Sequence, residues 1–100
     1  METLKELADK LFQLRTERRI PSYELAKAIG VEPPMYSRME HGSRSVKFKH
    51  LQKIADFYEI ECRDLEILWA ADKLTDISHS VSKDVFESAL QVVNEKSRHF

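Results

Sequence analysis

A single cysteine, Cys62, excludes an internal disulfide, and histidines scattered at positions 41, 50, 79 and 99 lack the ligand spacing of a structural zinc site. Packing alone must hold the core, and neither metal nor other cofactor is expected. Only 2 glycines and 3 prolines stand among the 100 residues, and there is no internal repeat, low-complexity tract or flexible linker. With 42% apolar and 33% charged side chains, this is the composition of one folded domain rather than of a disordered chain. Long apolar runs are missing too: the longest, such as residues 67–71, span a few residues, and the amino terminus lacks the basic start and apolar stretch of a signal peptide. A soluble cytoplasmic protein with no membrane partner is expected. A chain of this length has no room for a deep cleft between two lobes. It also carries no nucleophile and base pair, no supported pair of carboxylates, no glycine-rich phosphate loop and no ligand-sensing extension, so neither an enzyme nor a small-molecule ligand is expected.

What is present is an uneven distribution of charge. The net charge is -1, yet residues 1–53 hold 11 Lys and Arg against 7 Asp and Glu, or +4, whereas residues 54–100 hold 5 against 10, or -5. The densest cationic stretch is 36–53, where Arg38, Arg44, Lys47, Lys49 and Lys53 face only Glu40. Two readings are open here: a surface that meets a polyanion, or a merely solvated face.

Helical periodicity runs the length of the chain and predicts an all-α fold. Leu4, Leu7, Leu11 and Leu14 recur at spacings of three and four, predicting a helix over 2–18 that Ile20-Pro21 ends. Pro21 and Ser22 open a short helix over about 22–29, with Leu25, Ala26 and Ile29 inward and Gly30 closing it. Pro33-Pro34 suit only the first turn of the next helix, about 33–40, which His41-Gly42 terminates. Phe48, Leu51, Ile54, Ala55 and Tyr58 predict a fourth helix, and after a break at 59–61 a fifth spans 62–77. That fifth helix is apolar around most of its circumference, and a sixth over 81–98 carries Val81, Val85, Phe86, Ala89, Leu90, Val92 and Val93 as a broad stripe. Tyr36, Met39, Phe48 and Leu51 are assigned to the core by their spacing.

Two short helices meeting at a glycine corner, flanked by cations, form the arrangement that inserts a helix into the DNA major groove. Leu14-Arg15-Thr16-Glu17-Arg18, Glu24-Leu25-Ala26-Lys27-Ala28-Ile29-Gly30-Val31, Tyr36-Ser37-Arg38-Met39-Glu40-His41-Gly42 and Leu51-Gln52-Lys53-Ile54-Ala55, in that order and spacing, resemble the phage-repressor-type (XRE) helix-turn-helix family. The resemblance covers residues 4–68. It implies a five-helix repressor-like domain over 1–69 and a helical extension over 70–100, acting as a sequence-specific DNA-binding transcriptional regulator, a repressor.

Carried over residue by residue, the resemblance makes Arg15 and Glu40 a largely buried structural salt bridge. It maps base-reading positions onto Glu32, Pro33, Pro34, Ser37 and Arg38, with Arg38 suited to a bidentate contact with guanine and Glu32 to accepting from cytosine N4. The prolines depart from the polar residues common there. Two readings stay open for them: packing against thymine methyl groups, or only starting the helix. Ser22 stands where the family has a glutamine that touches phosphate, and it is read either as a phosphate contact or, in preference, as a helix cap. The loop 43–49 matches the segment that runs along the DNA backbone, so Ser43, Arg44 and Lys47 are expected to contact phosphate. His41 is either a further contact or an exposed histidine at a helix end.

The expected partners are double-stranded DNA, read as an inverted repeat, and a second copy of the chain. The apolar surplus of the last two helices nominates Leu68, Trp69, Leu74, Val85 and Ala89 for a homodimer interface, the alternative being a sixth helix folded back on its own chain. An alternative function is an antitoxin-like or other protein-binding module acting through the acidic carboxy-terminal half.

Overall fold

The computed structural model describes residues 5–97. The described residues form six helices and no strand: α1 Glu6–Glu17, α2 Ser22–Ile29, α3 Pro33–Glu40, α4 Phe48–Tyr58, α5 Cys62–Ser80 and α6 Lys83–Ser97. The fold is all-α, as the periodicity predicts. Leu4 and Arg98, at the ends of the predicted first and last helices, lie outside the described residues. None of the described helices is long and apolar enough to cross a membrane.

Local signals account for the middle of the chain. Gly30 follows α2 with φ +77°, and Val31 N–H closes back on Ala26 O at 2.9 Å, the bond that ends a helix in a left-handed residue. A β-carbon at Gly30 would meet nothing within 4 Å, so the demand there is on φ alone. Pro33 and Pro34 occupy the first two positions of α3, where their missing N–H groups have no intrahelical partner to lose.

The ends of the outer helices depart from the prediction. α1 begins at Glu6 after an extended Lys5, and residues 2–4 of the predicted span lie outside the described residues. α5 runs on to Ser80 rather than Ile77, because no Pro or Gly intervenes; the hydroxyls of Thr75, Ser78 and Ser80 bond back to carbonyls of their own helix. Val81 is extended and outside α6: Ser82 Oγ accepts the Val85 N–H at 3.2 Å and so caps that helix.

The core is built from Leu7, Leu11 and Leu14 of α1, Leu25 and Ile29 of α2, Tyr36 and Met39 of α3, Leu51, Ile54 and Tyr58 of α4, Leu65 of α5 and Val46 of the loop before α4. Phe48, expected in the core, is 52% exposed. It is the first residue of α4, where the helix overhangs the edge of the core, so its ring meets Trp69 edge-on, 5.1 Å between centroids. α6 has no fully buried residue; Phe86 and Leu90 are half-buried and the helix touches α5 of its own chain, while Val85, Ala89, Val92 and Val93 stay exposed.

Candidate nucleic-acid interface

The two faces of α3 differ completely. Tyr36, Met39 and Glu40 point into the molecule, whereas Pro33, Pro34 and Arg38 are exposed and Ser37 is half-buried. At about 100° per residue, positions 33, 34, 37, 38 and 41 fall on one outward strip. Glu32, exposed and extended, precedes the strip as the residue flanking the helix start.

The inward face is anchored by a charge pair. Arg15 Nε donates to Glu40 Oε2 at 2.7 Å and its Nη2 donates to Oε1 at 2.9 Å, a bidentate arrangement. Arg15 Nη1 also donates to Ile20 O at 3.0 Å, so one guanidinium ties α1 to the end of α3 and to the turn that leads into α2. The Glu40 side chain is 4% exposed and that of Arg15 19%. Hydrogen bonding to Glu40 holds Arg15 above its usual value. Burial, with the Glu40 carboxylate nearby, pushes the Tyr36 phenol well above its ordinary range, and burial pushes Tyr58 up to about 12. Both phenols are therefore neutral around the pair at physiological pH.

The turn after α3 uses its polar groups internally. The N–H groups of Ser43 and Arg44 both donate to Arg38 O, at 3.1 and 3.2 Å, and Ser43 Oγ donates to the same oxygen at 3.3 Å. The Ser43 hydroxyl proton thus closes α3. His41 Nδ1–H donates to Ser37 O at 2.7 Å, which leaves Nε2 an acceptor in the neutral ring, able to donate outward only when protonated. Ser22, read in preference as a cap, does not cap: the flanking position belongs to Pro21, Ser22 is the first helical residue, and α2 has no side-chain cap.

Arg38, Arg44, Lys47, Lys49 and Lys53 are all exposed. Beneath them His50 is buried, and burial followed by the charges of Lys49, Lys53 and Lys47 keeps it below its usual value, so it adds no charge to the cluster near neutral pH. The loop carrying Arg44 and Lys47 is held by a residue that sequence reasoning placed in a dimer interface. Trp69 Nε1–H donates to Val46 O at 2.9 Å, with Phe48 against the ring and Lys73 Nζ 5.2 Å from its centre. An isolated tryptophan in an all-round apolar helix gives no local sign of this long-range bond. Trp69→Phe keeps the ring contacts but leaves the Val46 carbonyl unpaired, an expected loss of about 1 kcal/mol. Thermal unfolding should show a midpoint lowered by roughly 4–8 °C.

Of the other residues nominated for an interface, Leu68 is half-buried against the core, whereas Leu74, Val85 and Ala89 are exposed. The boundary read between residues 69 and 70 falls inside α5, and Asp72 just beyond it is bonded to the start of α1: Oδ1 accepts from Glu6 N–H at 2.8 Å and Oδ2 from Leu7 N–H at 3.1 Å. Among the described residues, no group of three or more His, Cys, Asp or Glu side chains could hold a metal ion.

A family model described as Helix-turn-helix matches residues 11–65, from α1 through the start of α5. That span contains the Arg15–Glu40 pair, α2, α3, the cationic loop and α4, and leaves out α6. Among curated proteins, the cryptic phage CTXphi transcriptional repressor RstR of Vibrio cholerae is 30% identical over 78 residues, covering 78% of this chain and 67% of that repressor. No solved structure matches the chain significantly. With more than half of its length in the family model and the charge pair joining α1 to α3, this chain belongs to the phage-repressor-type (XRE) helix-turn-helix family.

Proposed function

We propose that this chain, a DNA-binding transcriptional regulator by its family, is a repressor that binds an inverted-repeat operator as a dimer, with α3 in the major groove. The observation that carries this reading is the outward strip of α3, continuous in sequence with an exposed cationic loop while the opposite face is locked into the core. The name of the Vibrio relative supports repression as the outcome. Arg38 is assigned a bidentate contact to guanine, with Ser37 and Glu32 as secondary readers and the two prolines as apolar contacts to thymine methyls. Lacking N–H groups, those prolines leave the first turn of α3 with fewer backbone donors for phosphate. Arg44 and Lys47 are assigned to phosphate, Ser22 to a weaker contact in which its hydroxyl donates, Ser43 to one made by turning its hydroxyl away from Arg38 O, and His41, at the end of the outward strip, to a further contact.

In a dimer that reads two half-sites one helical turn apart, the recognition helices are separated by roughly 34–36 Å. Binding measured across salt concentrations to a site obtained by selection from random DNA tests the reading. Arg38→Ala should relax discrimination at one base position by about 1–3 kcal/mol. Arg44→Ala should weaken all sequences alike and flatten the salt slope by about one unit. Binding independent of salt, or full base preference in Arg38→Ala, overturns the assignment and favours a protein partner for the acidic half.

A further inference from the structure

α6 carries an apolar strip, Val85, Ala89 and Val92, at spacings of four and three, and none of it is buried. Phe86 and Leu90 on the adjoining side are half-buried, and an amphipathic helix of 15 residues gains little from its own propensity and needs a surface for the strip left exposed. The molecule is less compact than a closely packed chain of 100 residues, with a radius of gyration of 15.6 Å against about 13 Å, and α6 touches its own chain at α5.

The same chain offers a matching seat. Between α1 and α5 runs an open groove of about 490 Å³, with Leu14, Ile60 and Leu68 on its apolar surface and Glu6, Asp9 and Asp64 among its charged residues. Its α5 wall continues along the helix as Ile67, Ala71 and Leu74, again at spacings of four and three, with Ile67 and Leu74 about half exposed. Each strip has an alanine at its centre, which allows two helix axes to approach closely. Charge complements shape. By helical position Lys96 lies on the apolar strip of α6, Asp84 and Glu95 flank it, and Lys83 and Glu87 lie on the far side, so the one charge on the strip is a cation, brought to a groove whose charged lining is Glu6, Asp9 and Asp64 with Lys10.

We infer that α6 of each copy lies in the α1/α5 groove of a second copy, so that the dimer is held by two reciprocal arm exchanges related by a two-fold axis. This rests on the dimeric reading above and adds which surfaces meet. The arrangement covers Leu74, Val85 and Ala89 while leaving the outward strip of α3 free.

Short-span cross-linking in a Cys62→Ser background tests the exchange, using Ala71→Cys and Ala89→Cys at the centres of the two strips, with sedimentation velocity at micromolar concentration alongside. Co-expressed single variants should cross-link 71 to 89 between chains, and neither should cross-link when alone. Ala89→Cys linking to itself would place α6 against α6 of the partner; that overturns the exchange and leaves the dimer standing. A doubly substituted chain that closes within one monomer, or a dimer that shows no 71 to 89 link, also overturns it. Monomer alone by sedimentation removes both the exchange and the dimer.

Discussion

Arg15→Ala should lower folding stability by about 3–5 kcal/mol, the range for breaking a buried ion pair from one side. The substitution leaves the Glu40 carboxylate, 4% exposed, without its bidentate donor, and it also removes the bond to Ile20 O that holds the turn before α2. Glu40→Ala should cost less, about 2–3 kcal/mol, because the guanidinium left behind is 19% exposed and keeps Ile20 O as an acceptor. Urea unfolding checks the order. The double variant Arg15→Met with Glu40→Leu should recover much of the loss, since neither replacement leaves a buried charge. Equal and small losses in both single variants, below about 1 kcal/mol, would show that the pair behaves as a surface bridge.

Asp72→Ala carries the second large effect, expected at about 2–3 kcal/mol. α1 has no cap of its own: Lys5 occupies the flanking position and makes no side-chain cap bond. Its Glu6 and Leu7 amides are satisfied instead by the Asp72 carboxylate of α5, a charge-assisted pair of bonds at the positive end of the helix dipole. Removing it leaves two N–H groups unpaired, one of them buried, and loosens α1 from α5. Asp72→Asn keeps one acceptor oxygen and should lose about half as much. Asp76→Ala, one turn on, breaks an exposed pair with Lys5 and should leave the urea midpoint unchanged. Amide exchange at Glu6 and Leu7 should accelerate in the Asp72 variants and not in the Asp76 one.

The spans of α2 and α3 were legible to the residue because their punctuation is local: Pro21, Gly30 and the pair Pro33-Pro34 act through a preset φ, a positive φ and missing N–H groups. The ends of the outer helices were not. The cap of α1 lies 66 residues away in the chain, and no pattern near Glu6 announces it. Phe48 shows another limit: helical spacing places a residue on the core side of its helix, and says nothing about whether the core extends as far as that first turn. The pairing of Arg15 with Glu40, 25 residues apart, was reached through resemblance and not through any property of either residue.

Composition and short-range order therefore settled the all-α class, the helix-turn-helix span and the placing of the cations on and beside α3, since each depends on side chains within one or two turns of each other. Folding in three dimensions decided the rest. It chose Asp72 as the cap of α1, turned Trp69 toward the loop carbonyl of Val46, gave the Ser43 hydroxyl to Arg38 O, and left the strip of α6 uncovered. Hydrogen bonds and apolar contacts act over a few ångströms in space with no regard for separation along the chain, so their partners are set only when the helices have been packed.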